Sequence, residues 1–312
     1  MTVTTRVVRL WLPAWEQLRS QLTPTLALHR LACRAERVSV EPGDAARLAR
    51  SFDILPRGLP VAALTRQLDA GDAMHFTWLR ADPGYVRPDM ATVRLMACGD
   101  LDLSPDECEA LLRPLKPLFG DEGFPISAPV ASRWYLCLPP EAHLPSFAPP
   151  QEVLGDDLLA HLPDGNLGRR WRRLLNEAQV ILHNHPLNAQ RIEAGKLPVN
   201  TLWFWGDGRL PDHVRSSMTQ LRSSDVVLRA LAARANVACS TDDRAETVQA
   251  GALIDLRNVT RVDLLDSHWI HPLLQRAQRG ELDVLDLDFG DGMALHWKPA
   301  HRWRIWRRQL PA

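Results

Sequence analysis

The run from Trp171 to Gly208 constrains the fold more than any other stretch of this chain. Trp171, Leu174, Leu175, Ala178 and Leu182 recur at i, i+3, i+4, i+7 and i+11, which is one face of an amphipathic helix. Pro186 stops that helix near Asn184, because the residue before a proline is pushed out of the α region. A short helix to Gly195, a strand VNTLWFW and a Gly-Asp-Gly loop follow. A helix feeding a strand in this way belongs to an α/β chain, and 312 residues suffice for a large α/β domain with an insertion.

The rest of the chain fits that class. Val7 to Leu12 reads as a first buried strand, and Thr23-Pro24 opens a helix with Leu28, Leu31 and Ala35 on one face. A loose segment with Pro42, Gly43, Pro56, Gly58 and Pro60 follows. AMHFTWLRADPGYV reads as a strand broken by an Asp82-Pro83-Gly84 turn, and TVRLMA as another strand. Ser104-Pro105-Asp106-Glu107 is a capping box that starts a helix running to about Phe119. FPISA and RWYLCL complete a β-β-α-β-β module, and PPEAHLPSFAPP reads as a linker. Helices near Asp225–Ala235 and Ser267–Arg279, a strand GALIDL, a hairpin LDVLDLDF-GDG-MALHW and a docked basic helix HRWRIWRR fill the last third.

Between His183 and Gly208 stand His183, His185, Asn184, Asn188, Asn200, Arg191, Trp203 and Trp205. A metal site does not fit, because on a helix the two histidines point about 200° apart and no cysteine or carboxylate completes a set. Two readings remain. The polar residues cap a helix end and satisfy backbone groups in a tight corner, or they line a ligand pocket beyond the carboxyl end of a strand. In the pocket reading Arg191 grips a phosphate or carboxylate and Asn188 and Asn200 orient it. If Arg191 is instead structural, its partner is a carboxylate such as Glu177 or Asp207. Arg80, Asp82, Arg87 and Asp89 likewise form either a basic pocket or an Arg–Asp pair around a turn.

Thirty-seven basic residues balance thirty-seven acidic ones, so no net field favours nucleic acid or an anionic membrane. The five cysteines form no C-x-x-C pair, which argues against a disulfide framework and a structural zinc. MTVTTRVVRLWLP has no apolar run long enough for a signal peptide, and no stretch approaches about 20 apolar residues. The expected location is the cytoplasm.

HPLNAQRIEAGKLPVNTLWFWGDGRLP resembles the H-P-x-N-x-x-R-x-x-x-G…N-x-x-W-x-W-G-x-G segment of the archaeal-type cofactor-independent phosphoglycerate mutases, in the alkaline-phosphatase superfamily. WLRADP, LDLSPDECEALL, SRWYLCL and TPTLALHRLACRA resemble other pieces of that family, over about residues 20–240. A shorter proteobacterial branch, labelled phosphoglycerate mutase or linked to regulation of pathogenicity factors, is closer still. The resemblance implies an alkaline-phosphatase-like layered α/β core from residues 1–70 and 151–312, with 71–150 as a lid-like α+β insertion. It also implies a substrate site of Arg80, His185, Asn188, Arg191, Asn200 and Trp205.

An active mutase of this kind holds a phosphorylated Ser or Thr between two divalent metals, which needs about six Asp or His ligands. Here the first strand ends Trp11-Leu12-Pro13-Ala14 without a carboxylate, and Ser20, Ser39 and Ser51 have no glycine beside them. VDLLDSHWIHP offers Asp263, Asp266, His268 and His271, but reads better as a helix capped by Asp266 or Ser267. Asp286, Asp288 and Asp291 read as the solvated face of a strand. The expectation is therefore a degenerate mutase-like protein, metal-free and without cofactor. It would bind a small phosphorylated or carboxylate ligand, or a protein partner, in a regulatory role, and neither nucleic acid nor membrane. The alternative is an active phosphomutase or phosphatase with relocated ligands and bound divalent metal.

Overall fold

The computed structural model describes residues 5–89, 92–307 and 309–311. Its strands, in chain order, are β1 (Val7–Trp11), β2 (Glu36–Ser39), β3 (Asp53–Leu55), β4 (Thr77–Asp89), β5 (Thr92–Cys98), β6 (Ile126–Val130) and β7 (Arg133–Leu138), then β8 (Thr201–Arg209), β9 (His213–Arg215), β10 (Gln220–Arg222), β11 (Ala238–Ser240), β12 (Ala252–Asp255), β13 (Val284–Asp288) and β14 (Met293–Trp297). The chain divides into two compact units, residues 1–56 with 213–312, and residues 57–212.

The first unit is built on a seven-stranded sheet of order β11-β10-β12-β1-β13-β14-β2. The five strands from β11 to β13 run parallel, and β14 and β2 close one side as antiparallel strands. Period-2 alternation in β1 sends Val8 and Leu10 to one face, where Leu28, Leu31, Ile270 and Leu273 bury them. Arg9 and Trp11 point to the other face. The mixed α/β class is the expected one.

The helix Ala27–Arg34 starts later than Thr23-Pro24 suggests, and its cap comes from far along the chain. Asp266 accepts the N–H groups of Ala27 at 3.0 Å and Leu28 at 2.6 Å. Asp266 is itself inside a helix, in a π turn Asp266–Ile270 between Val262–Leu265 and His271–Gln278. Pro272 lacks an N–H, and the turn widens so that His271 N–H reaches the Asp266 carbonyl. The expected helix at Ser267–Arg279 is thus longer, and neither Asp266 nor Ser267 is its cap.

The second unit carries a five-stranded antiparallel sheet, β5-β4-β7-β6 with β8 on the other side of β4. The Trp171–Leu182 stripe packs into its core with Leu79, Phe119, Trp134 and Phe204. The capping box forms: Ser104 Oγ accepts Glu107 N–H at 3.1 Å and Glu107 Oε2 accepts Ser104 N–H at 2.8 Å. The helix breaks at Pro114 into Pro105–Leu112 and Leu115–Asp121.

Several expectations give way to tertiary pairing. Asp82-Pro83-Gly84 is no turn, because β4 runs straight through it opposite Thr201–Trp203 of β8. Gly84 lets β8 approach; a Cβ there would lie 2.9 Å from Thr201 Cγ2. Gly206-Asp207-Gly208 is no loop but part of β8, beside a bulge. Both glycines have positive φ, and a Cβ on Gly208 would meet Pro60 at 2.6 Å. The Pro-rich segment 139–150 is no free linker: the Phe147 ring lies 5.4 Å from that of Trp171, and Ala148 O accepts Trp203 Nε1–H at 2.9 Å. The division of the chain therefore differs from 71–150 against the rest. Residues 57–70 and 151–212, including β8, belong with the module, since β8 hydrogen-bonds along β4 and not to the seven-stranded sheet.

The basic helix expected at 301–308 is only a short 3-10 turn, Pro299–Trp303, and Trp303 and Trp306 are 67% and 73% exposed. Arg308 lies outside the described residues. No helix among the described residues is long and apolar enough to cross a membrane.

Candidate functional site

The polar run after the long helix Gly165–His183 turns inward. Asn188 donates to Leu182 O and Val199 O and accepts from Val199 N–H, all within 2.9 Å. Asn200 pairs with Val86 as a peptide group would, accepting its N–H at 2.8 Å and donating to its carbonyl at 2.9 Å. His185 Nδ1 accepts Leu187 N–H at 3.2 Å. Arg191 is 1% exposed and donates to Leu197 O, Leu101 O and Glu107 Oε1 at 2.9, 2.6 and 2.8 Å. Its carboxylate partner is Glu107, neither Glu177 nor Asp207. Irregular backbone around residues 184–200 leaves buried carbonyls and N–H groups that must be satisfied. These side chains satisfy them, so the ligand pocket expected around Asn188, Arg191 and Asn200 is corrected to a scaffold joint.

Arg80 and Trp205 do meet, at Asp82. Arg80 grips Asp82 with two bonds of 2.8 Å, since residues i and i+2 of a strand share a face. Trp205 Nε1 donates to Asp82 Oδ2 at 2.7 Å, and Trp134 N–H lies 3.3 Å from Oδ1. The guanidinium lies 5.3 and 5.2 Å from the ring centroids of Tyr135 and Trp205. Arg80 and Asp82 are 4% and 2% exposed. The pair is internally neutral and closed. Burial, then the charge of Asp82, push the neighbouring Cys98 thiol well above its usual range. Arg87 is not part of it, and Asp89 pairs with Arg94 at 2.8 Å.

The carboxyl ends of the parallel strands, where ligands of open α/β sheets bind, carry a denser cluster. Arg257 holds Asp255 at the end of β12 through two bonds of 2.7 and 2.9 Å, and reaches Asp44 at 2.6 Å and Asp225 at 2.9 Å. Ser223 Oγ donates to Asp255 at 2.7 Å. Arg47, 3% exposed, donates to Leu12 O beyond β1 at 2.8 Å and to Asp288 O at the end of β13 at 2.5 Å. Arg47 also bonds Asp288 Oδ1 at 3.1 Å, while Arg50 takes Oδ2 at 2.7 Å. Trp11 lies beside both guanidinium groups, those of Arg47 and Arg257 being 5.7 and 5.2 Å from its ring centroid, and Asp44 links them by also accepting from Arg47 Nη1 at 3.4 Å. Burial alone would raise the Asp255 carboxyl, but Arg257 and Ser223 outweigh it and hold it below the usual range.

This edge does not suit two divalent cations. Asp255 and Asp288 are each engaged by at least one guanidinium, which already supplies the positive charge at the strand ends. The other acidic candidates are engaged as well. Asp263 pairs with Arg261, Asp266 caps a helix, Asp286 bonds His296 Nδ1 at 2.7 Å and Asp291 accepts Trp15 N–H at 2.6 Å. His271 faces Gln275 at 2.8 Å. Among the described residues no group of three or more His, Cys, Asp or Glu is placed to hold a metal ion. Sequence reading missed Arg47, Arg257 and Trp11; the available signal was Asp-Leu-Arg at the end of the GALIDL strand.

On the sheet face bearing Arg9 and Trp11 lies a groove of about 270 Å³. Register places Trp11, Asp288, Ala294 and Val38 in one row across it, and Arg9, Asp286 and His296 in the next. Among the described residues the Arg9 guanidinium has no hydrogen-bond or ion-pair partner, although Asp286 is its neighbour in register.

No family model matches the chain. One segment is 41% identical over 66 residues to a probable 2,3-bisphosphoglycerate-independent phosphoglycerate mutase of Geobacter sulfurreducens, covering 21% of this chain and 16% of that protein. The 2,3-bisphosphoglycerate-independent phosphoglycerate mutase of Methanosarcina mazei matches at 38% over 63 residues, 20% of this chain and 16% of its own length. The matches thus span about a sixth of these curated relatives. Among solved structures, a cofactor-independent phosphoglycerate mutase from Thermoplasma acidophilum aligns with a TM-score of 0.46 at 16% identity, covering 95% of this chain and 90% of its own. The PH0037 protein from Pyrococcus horikoshii aligns with a TM-score of 0.46 at 14% identity, over 95% and 87%. Part of the chain is therefore similar in sequence to the cofactor-independent phosphoglycerate mutases.

Proposed function

We propose that this phosphoglycerate-mutase-like chain carries out no phosphoryl transfer and acts in the cytoplasm as a regulatory protein that binds an anionic metabolite or a protein partner. One observation carries the reading. The carboxylates at the ends of β12 and β13 are tied by Arg257, Arg47 and Arg50, so the strand ends present guanidinium groups in place of a metal-binding edge. Two-metal phosphoryl transfer needs free carboxylates around both cations and a nucleophile between them. A partly buried bidentate pair such as Arg257–Asp255 is not displaced cheaply, because removing either partner strands a charge.

Elemental analysis of protein purified without chelator, combined with a 3-phosphoglycerate turnover assay in added Mn²⁺ and Mg²⁺, tests the proposal. The expected result is substoichiometric metal and no turnover. About two metals per chain together with turnover, the stoichiometry of a two-metal site, would overturn it.

A further inference from the structure

We propose that the groove on the Arg9 face of the seven-stranded sheet is a binding site for a small organic anion, its charged end at Arg9 and its apolar body against Val38 and Ala294. Four observations support the assignment. Arg9 is a half-buried cation without a partner among the described residues, whereas the neighbouring Arg47, Arg50, Asp288, Asp286 and His296 are all engaged with one another. Asp286, the one carboxylate beside Arg9 in register, is turned to His296 Nδ1 at 2.7 Å. The next row across the sheet offers the small Ala294 and the 40% exposed Val38, a short apolar wall. The groove holds about 270 Å³, just under the volumes typical of drug-sized ligands, which limits the occupant to a compact molecule.

A guanidinium in this setting recognises a carboxylate or a phosphate monoester through paired N–H donors. The apolar wall requires that the anion carry a hydrocarbon group; inorganic phosphate alone meets only half of the site. This deepens the regulatory reading by naming a site and a ligand class. It rests on that reading for the ligand's role, not for its binding.

The test is calorimetric titration of the full chain with benzoate, phenyl phosphate, inorganic phosphate and benzylammonium as probes. Benzoate or phenyl phosphate should bind more tightly than inorganic phosphate, and benzylammonium should not bind. Which of the first two is tighter decides between a carboxylate and a phosphate ligand. Arg9→Gln should weaken binding by about tenfold or more. Val38→Glu, on an exposed strand position that tolerates change, should do the same by placing a like charge at the wall. The second variant decides the matter if Arg9→Gln fails to fold. No heat from either aromatic anion up to about 10 mM, equal affinity for benzylammonium, or unchanged affinity in the folded variants would each overturn the assignment. Metal content and turnover do not enter this titration, so its failure and that of the non-catalytic reading are distinguishable.

Discussion

Arg191 Nη1 stands 2.8 Å from Glu107 Oε1, while Glu107 Oε2 accepts the Ser104 N–H at 2.8 Å. One carboxylate thus closes the capping box of the helix Pro105–Leu112 and anchors a guanidinium from the helix Leu187–Glu193. The polar run around Arg191 is therefore a clamp between two helices. Arg191→Ala should lower stability by about 3–5 kcal/mol, because it leaves carbonyls and a carboxylate without their donor. Arg191→Lys should recover little, since an ammonium cannot span the same fork. Denaturant unfolding measures both. An unchanged midpoint, with loss of binding to a phosphorylated acid, would return Arg191 to a ligand site.

Acid should act on the same clamp. Burial raises the Glu107 carboxyl, but the Ser104 N–H and Arg191 outweigh it and hold it below the usual glutamate range. A folded pKa below the unfolded one means stabilisation that is complete above the ordinary glutamate value and lost as pH falls through the folded value. Glu107→Gln should therefore be less stable at neutral pH, with a shallower decline on acidification. Parallel pH–stability curves for parent and variant would remove this account.

Gly290 should tolerate no side chain. A Cβ there would lie 2.6 Å from Arg47 Cζ, and its φ of +72° is one that L residues rarely adopt. Gly290→Ala should cost about 1–3 kcal/mol and displace Arg47 from the Leu12 and Asp288 carbonyls. A thermal melt within error of the parent would show that the guanidinium is not held as described.

Asp266→Ala should loosen a helix distant in sequence. It removes the acceptor of two buried N–H groups at the start of Ala27–Arg34, a loss of about 1–3 kcal/mol. Hydrogen exchange should quicken at Ala27 and Leu28 more than in the helix His271–Gln278. Faster exchange confined to residues 262–278 would mean that the contact carries no such load.

Legibility tracked the range of the interactions. The Trp171–Leu182 stripe, the Ser104–Glu107 capping box and the β13–β14 hairpin were readable because periodicity and caps are local signals. Asp82-Pro83-Gly84 and Gly206-Asp207-Gly208 were misread because their turn composition serves strand pairing and a close helix approach instead. The three-residue strands β3, β9, β10 and β11 are too short to show a period. The segment around Arg191 was the hardest case. A guanidinium and two amides look the same in sequence whether their donors face a ligand or the protein's own carbonyls, and only tertiary placement decides.

The position of β1 in its sheet has a bearing on synthesis. Its two neighbours, β12 and β13, lie beyond residue 251, and the whole of unit 57–212 comes between. At typical rates of about 5–20 residues per second, a ribosome would emit VVRLW roughly ten to fifty seconds before either partner strand exists. The continuous unit can close on itself in that interval. The central strand of the other sheet must wait as an unpaired apolar ribbon, so the nascent chain, more than the finished protein, is where aggregation and chaperone dependence should concentrate.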